Sequence, residues 1–265
     1  MGVSIAMPEK PLSSYIICTT PRSGSWMLCS LLAQTGVAGR PSEFFGPTLR
    51  EEFRSNRNLA HAEKTRDYLA RVIVASMSEN RVFGMKLLAN QTRQFVRRVT
   101  EHRSEPIDSL RDALEAEFPG VRYICLTREN KAAQAISLYR GLMTGVWQRR
   151  AKAPVAEEES IPYDEYALQR CYQDIVASDA YWEGFFKTYG VEPLRLTYEA
   201  LVADFERETR RVLQFLGLPT DMSIAPPQTV KLADETSREW ERRFYTLDRL
   251  PDEPYLEPQR LWVPY

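Results

Sequence analysis

Histidine is nearly absent from this sequence of 265 residues, which contains only His61 and His102. A metal site built from several imidazoles is therefore excluded, and a mechanism that needs a histidine base has two candidates. Cysteine is sparse as well, because four cysteines lie far apart and no C-x-x-C pair occurs. This pattern favours reduced core thiols over a zinc or disulfide framework.

Long apolar runs and a basic excess are also missing. No stretch approaches the roughly 20 apolar residues of a membrane-spanning helix, and the first residues lack the features of a signal peptide. We therefore expect a cytoplasmic protein without a membrane span. Lysine plus arginine number 35 against 36 acidic residues, which disfavours a dedicated nucleic-acid binder. The basic set is 28 Arg and 7 Lys, and this excess fits either anion recognition or GC-rich codon usage.

Short apolar runs alternate with longer segments of helical periodicity, which predicts an α/β fold with a mostly parallel sheet covered by helices. The predicted strands cover residues 15–20, 82–88, 121–127 and 193–197. A long helix is predicted over residues 163–189, preceded by an acidic loop at 152–160. We expect a single domain over 1–265, with an extended tail rich in proline and aromatic residues at about 250–265.

The segment TTPRSGSW (residues 19–26) joins the first strand to the first helix. Ligands bind at the carboxyl ends of parallel strands, where a helix N-terminus offers unpaired N–H groups to an anion. Gly24 allows close backbone approach, Ser23 and Ser25 add hydroxyl donors, and Arg22 adds a positive charge. The chain has no Gly-Lys pair, so this is not a Walker A loop. A plain strand–turn–helix junction with a serine N-cap is the alternative.

A second group of polar residues follows the third predicted strand. Arg128 comes directly after the strand, and Ser137 lies about two turns into the next helix. Because parallel strands end at one edge of the sheet, these two residues could bind a second anionic group beside the first loop. A solvated surface arginine is the alternative for Arg128.

These motifs together resemble the sulfotransferases that use 3′-phosphoadenosine-5′-phosphosulfate (PAPS). The loop after the first strand resembles their 5′-phosphosulfate loop, and Arg128 with Ser137 resembles their 3′-phosphate pair. Residues 196–219 are similar to the family's strand–Tyr-Glu–helix–Phe-Leu-Gly stretch. Four further blocks resemble the bacterial trehalose 2-sulfotransferase group: GVAGRPSEFF, FGMKLLANQ, QAISLYRGLMTGVW and TSREW.

The resemblance implies a P-loop-like sulfotransferase fold, with PAPS as the co-substrate and adenosine 3′,5′-bisphosphate (PAP) as the product. It assigns Arg22 and the N–H groups of Ser23, Gly24, Ser25 and Trp26 to the 5′-phosphosulfate. It assigns Arg128 and Ser137 to the 3′-phosphate, and it places Tyr198 near the adenine, with a core aromatic as the alternative. No metal is expected, because a singly charged sulfonate needs less neutralisation than a phosphoryl group.

Glu43 matches the glutamate that serves as general base in the trehalose 2-sulfotransferase group, and a solvated loop carboxylate capped by Ser42 is the alternative. The resemblance also suggests three substrate-binding candidates besides Glu43, namely Phe45, Lys86 and Trp240. A structural ion pair is the alternative for Lys86, and core packing is the alternative for Trp240. Arg40 and Trp26 depart from that group's pattern, which leaves the acceptor open. The same group implies a homodimer.

We therefore expect an enzyme that moves a sulfuryl group in line from PAPS to a hydroxyl of a carbohydrate, glycolipid or other small metabolite. The expected partners are this acceptor and a second copy of the chain, and no nucleic acid. The alternatives are a nucleotide kinase-like P-loop phosphotransferase and a non-catalytic nucleotide-binding module.

Overall fold

The protein is described by a computed structural model, which describes residues 10–45, 65–101, 107–147, 161–227 and 234–245. Four strands lie in these ranges: β1 (Ser13–Thr19), β2 (Val82–Leu88), β3 (Arg122–Thr127) and β4 (Leu194–Thr197). The four predicted strands are confirmed to within two residues at each end, since each apolar run forms a strand.

Helices connect the strands. The first half of the described chain contains α1 (Ser25–Gln34), α2 (Thr65–Ser76), a short 3-10 helix (Ala89–Gln91), α3 (Thr92–Thr100) and α4 (Leu110–Glu117). The second half contains α5 (Lys131–Thr144), α6 (Glu165–Tyr189), α7 (Tyr198–Ala203), α8 (Phe205–Leu216) and α9 (Glu235–Tyr245). The long predicted helix is α6, which begins after its N-cap Asp164. No helix in the described ranges is long and apolar enough to cross a membrane.

All strand pairs are parallel, and the strand order in the sheet is β2-β1-β3-β4. In register, Thr19 at the end of β1 lies opposite Leu88 of β2 and Leu126 of β3. Thr127 pairs in turn with Thr197 of β4. The carboxyl ends of all four strands therefore meet at one edge, and the segments that follow them share that edge.

The sheet is buried on both faces, as expected for parallel strands. Successive side chains of β1 alternate between two core clusters: Ile16 and Cys18 face one, and Tyr15 and Ile17 face the other. The first cluster includes buried side chains of α2, α3, α4 and α6, and the second includes those of α1 and α8. The alternation of strands and helices in the sequence predicts this packing, and its presence confirms the α/β class. The packing also fixes the position of the edge at which the strands end.

Asp174 of α6 is a half-buried carboxyl group whose burial should make the stability of the protein depend on pH. Burial raises the pKa of its carboxyl to about 6, against the opposing charge of Arg170. The folded protein therefore holds this proton at pH values where the unfolded chain, with a pKa of about 3.9, releases it. The contribution of Asp174 to stability is thus most favourable below about pH 4 and is lost as the pH rises through about 6.

We expect Asp174→Asn to raise the free energy of unfolding at pH 7 by about 1 kcal/mol. The full shift would give roughly 3 kcal/mol, but Asp174 is half-buried and solvent screens its charge. Urea denaturation at pH 7 and pH 4 measures the effect, which should vanish at the lower pH. Asp221→Asn, at an exposed position, is the control and should change neither value. A loss of stability at pH 7 would contradict the assignment.

Candidate active site

The loop between β1 and α1 leaves the first turn of α1 open to a ligand. Gly24 is the N-cap residue, with φ of 81°, and no side chain caps the N–H groups of this helix. Its first turn also carries no acidic side chain. A helix N-terminus with uncapped N–H groups attracts an anion, because the N–H groups and the helix dipole both favour negative charge. The serine N-cap of the alternative interpretation does not form, because Gly24 is the N-cap residue.

The corner that leads into this loop is held by buried polar contacts. Gln134 of α5 is fully buried, and its Nε2 donates to Thr20 Oγ1 at 2.8 Å and to the carbonyl of Pro21 at 2.7 Å. Trp182 of α6 donates from Nε1 to the carbonyl of Thr19 at 3.0 Å. Ser23 is also buried and its hydroxyl bonds that of Thr19 at 2.6 Å. The serine hydroxyl thus supports the loop from within.

An ion pair extends this support. Asp179 on α6 pairs with Lys131 at the start of α5, and the hydroxyl of Thr20 acts to lower the pKa of the Asp179 carboxyl. Burial raises the pKa of Asp179, and the ammonium of Lys131 opposes that shift. Two helices therefore hold the backbone at the end of β1 through side chains that satisfy one another.

Arg22 sits in the left-handed region with φ of 65°, an uncommon conformation for a residue with a side chain. Its side chain crosses to α5, where Nε donates to Ser137 Oγ at 2.9 Å, and Nη1 donates to the carbonyl of Trp147, which follows the helix, at 2.5 Å. The structure thus brings the Arg22 guanidinium to Ser137, which the sequence assigned to a separate phosphate.

Arg128 completes this cationic group. It is buried, with 9% of its surface exposed, and its Nη1 donates to the carbonyl of Arg22 at 3.4 Å. Burial and the charge of Arg128 lower the pKa of Arg22 to about 10, so the Arg22 guanidinium stays protonated at neutral pH. Among the described residues, neither guanidinium forms an ion pair, and Arg128 Nε is buried without a hydrogen-bond partner. Two neighbouring guanidiniums that form no ion pair within the described ranges favour binding of an anion.

Tyr198 links the cationic group to the loop. Its ring lies under the Arg128 guanidinium, 4.7 Å from the guanidinium carbon to the ring centroid. The same ring packs against Gly24, where an added Cβ would lie 2.5 Å from Tyr198 Cδ2. The predicted loop residues and the predicted pair at 128 and 137 therefore belong to one continuous site.

The residues after β3 are also fixed from α7. Glu199 accepts hydrogen bonds from the backbone N–H groups of Glu129 at 3.0 Å and Asn130 at 3.3 Å. Asn130 is the N-cap of α5, and its Oδ1 accepts from the N–H of Ala133. The dipeptide Tyr198-Glu199 thus organises both sides of the site, since one side chain contacts the loop and the other holds the turn beside Arg128.

Glu43 lies in a second polar group at the end of β2. Its Oε2 pairs with Lys86 Nζ at 2.5 Å, and its Oε1 accepts from Gln91 Nε2 at 2.6 Å. The Lys86 ammonium also lies over the ring of Trp26, 4.5 Å from the centroid. Because Trp26 belongs to the first turn of α1, the Glu43 carboxylate lies near the loop that the sequence assigned to the 5′-phosphosulfate. The ion pair predicted as the alternative for Lys86 is present.

Two substrate-binding candidates lie in the core. Phe45 is 2% exposed and packs edge to face against Phe95 at 5.0 Å between ring centroids. Trp240 is 5% exposed and packs between Tyr139 and Tyr163. The structure therefore favours core packing over the substrate contacts expected for both. His61, His102, the loop at 152–160 and the tail at 250–265 lie outside the described residues.

Backbone conformation at Gly24 yields a prediction for donor binding. We expect Gly24→Ala to weaken binding of PAP about tenfold, because the methyl group would displace Tyr198 and the left-handed backbone costs about 1 kcal/mol for alanine. Calorimetric titration measures the change. Gly36→Ala is the matched control, since Gly36 has φ of 72° and an added Cβ would meet no atom within 4 Å. Equal weakening in both variants would mean that contact with Tyr198 has no role.

Known proteins that resemble this chain are sulfotransferases. The chain matches the model of the Stf0 sulphotransferase family over residues 14–246. It is 30% identical to a trehalose 2-sulfotransferase of Mycolicibacterium smegmatis over 90% of this chain and 96% of that protein. It is 25% identical to a trehalose 2-sulfotransferase of Mycobacterium tuberculosis, with 89% and 96% of the two chains covered.

Solved structures are more distant. A sulfotransferase from Alicyclobacillus acidocaldarius is 15% identical, with a TM-score of 0.47 over 88% of this chain and 92% of that chain. The family match covers most of the chain, and it decides against the phosphotransferase and the non-catalytic module. The chain belongs to the Stf0 sulfotransferase family and is a sulfotransferase.

Proposed function

We propose that this sulfotransferase uses PAPS as donor and transfers the sulfuryl group to a hydroxyl of a carbohydrate or related small metabolite. The observation that carries the proposal is a pair of neighbouring guanidiniums at the carboxyl edge of the sheet, of which Arg128 is buried and Arg22 is half-buried. A donor with phosphates at both its 3′ and 5′ positions supplies the negative charge that this pair lacks.

The residues present fit such a donor. Arg128, with its unpartnered Nε, and Ser137 would hold the 3′-phosphate. The uncapped N–H groups of the first turn of α1 would hold the 5′-phosphosulfate. Arg22 reaches Ser137 from the loop, so its guanidinium would serve both ends of the nucleotide. Tyr198 would lie beside the adenosine. No cluster of three or more potential metal ligands occurs in the described ranges.

Glu43 would act as the general base. Each carboxylate oxygen holds one donor, Lys86 or Gln91, and keeps a second lone-pair direction for the acceptor hydroxyl. The proton would move to Glu43 as the hydroxyl oxygen bonds to sulfur in line with the departing group. When bound, PAPS supplies the sulfuryl group, and its 5′-phosphate oxygen leaves with the electron pair of the broken bond. Arg22 and the α1 N–H groups would stabilise the charge on that oxygen.

A sugar acceptor is suggested by the relatives named trehalose 2-sulfotransferase. Trp26 is half-buried beside Lys86 and could present an aromatic face to a pyranose. Arg40 is exposed and departs from the pattern of that group, which leaves the identity of the acceptor open. The homodimer, the cytoplasmic location and the single domain with its extended tail stay predictions.

Calorimetric titration of the wild-type protein with PAP tests the donor assignment. We expect one binding site, with adenosine 5′-monophosphate bound at least about tenfold more weakly because it lacks the 3′-phosphate. Equal affinity for the two nucleotides, or no binding of PAP by the folded protein, would reject PAPS as the donor.

A further inference from the structure

Two carboxylates lie beside Arg128 without forming an ion pair with it. Glu199 is engaged by the backbone N–H groups of Glu129 and Asn130. Glu241 of α9 accepts from Asn130 Nδ2 at 2.6 Å. Burial lowers the pKa of Arg128, and the charges of Glu199 and Glu241 act against that shift. Both carboxylates are thus bonded to one or both of the two residues that follow Arg128, and their charges act on its guanidinium.

The position of Glu241 is fixed by the packing of α9. Arg140 of α5 pairs with Asp234, the residue before α9, and also bonds Ser237. Trp240 and Phe244 are buried against residues of α5 and α6. Glu241 is thus held over the N-terminus of α5 by contacts on either side of it.

The negative charge of Glu241 would repel the 3′-phosphate that this site is proposed to bind. A 3′-phosphate on Arg128 and Ser137 would lie in the field of both carboxylates, and charges at a half-buried site are screened less than in water. On the basis of the proposed function, we infer that Glu241 limits the affinity for the 3′-phosphate and so speeds release of the product PAP.

The two carboxylates differ in what a substitution would do. Glu199 uses both oxygens to accept from two backbone N–H groups, so an amide there would lose one bond and disturb the turn. Glu241→Gln keeps an Oε1 that accepts from Asn130 Nδ2 and removes only the charge. A damaged site would bind more weakly, whereas loss of a repulsive charge makes binding tighter, so the sign of the change separates the two effects.

Calorimetric titration of the full chain with PAP and with adenosine 5′-monophosphate tests the inference. For Glu241→Gln at low ionic strength we expect PAP to bind about three- to tenfold more tightly and to dissociate more slowly in stopped flow. Affinity for adenosine 5′-monophosphate should stay within about twofold, and the gain for PAP should shrink as salt is added.

Glu239→Gln is the matched control. Glu239 is exposed on the same helix, and two residues of helix turn it about 200° away from Glu241. This variant should bind PAP as the wild type does. Unchanged or weaker PAP binding by Glu241→Gln, or an equal gain in both variants, would overturn the inference while PAP binding by the wild type stands. Failure of the wild type to bind PAP would overturn the proposed donor site and the inference with it.

Discussion

Replacement of Glu43 by glutamine is expected to lower PAPS turnover by about 10²- to 10³-fold, because a general base of this kind contributes that much to the rate. Affinity for PAP should stay within about twofold, since Glu43 contacts Lys86 and Gln91 and touches neither Arg22 nor Arg128. Initial rates of PAP formation with a saturating acceptor measure the first effect, and calorimetry measures the second.

Lys86 requires a control in this experiment. Its side chain is 3% exposed, so Glu43→Gln leaves a buried ammonium without its partner, a change that can cost about 3–5 kcal/mol of stability. The double variant Glu43→Gln/Lys86→Met removes both charges. If Glu43 is the base, the double variant stays inactive although its folding recovers. Recovery of turnover in the double variant would instead assign the loss to the unpaired lysine.

Arg128→Ala is expected to weaken PAP binding by about 30- to 100-fold, which corresponds to the loss of charge-assisted hydrogen bonds to one phosphate. The affinity for adenosine 5′-monophosphate should change by less than about threefold. Calorimetric titration with both nucleotides gives the ratio directly.

Arg128→Lys separates charge from geometry. Lysine keeps the positive charge but lacks the planar fork that lies over Tyr198 and reaches the Arg22 carbonyl. We expect an affinity for PAP between those of the wild type and the alanine variant. If Arg128→Ala lowered the affinity for both nucleotides equally, Arg128 would support the loop and would not bind the 3′-phosphate.

Much of the fold could be predicted from the sequence because its signals are local. The strand runs are short and rich in β-branched residues, and the helices between them show regular apolar spacing. The loop at 19–26 could be found for the same reason, since glycine and serine follow directly after a strand. The single domain, with its tail at about 250–265, stays a prediction.

The contacts that shape the site could not be predicted in this way, because they join distant parts of the chain. Gln134 lies 114 residues from Thr20, Trp182 lies 163 residues from Thr19, and Gln91 lies 48 residues from Glu43. A glutamine within an otherwise apolar stretch of α5 was the one available signal. A local sequence pattern does not indicate which distant loop such a side chain will contact.

Arg22 shows the same limit at the level of one side chain. The resemblance assigns Arg22 to the 5′-phosphosulfate, and that assignment stays a prediction. No local pattern indicated that the Arg22 guanidinium would donate to Ser137 of α5. The left-handed backbone at this position had no signal in the sequence, since arginine is not among the residues that favour it. Direction of the side chain follows from that backbone and from the buried neighbours.

Formation of PAP from PAPS by the wild-type protein, with and without a panel of sugars, tests the proposed reaction. We expect PAP to form only when a hydroxyl acceptor is present, with one sulfate ester formed for each PAP. Absence of PAP with every acceptor, or formation of PAP and inorganic sulfate at the same rate without any acceptor, would contradict the proposed reaction.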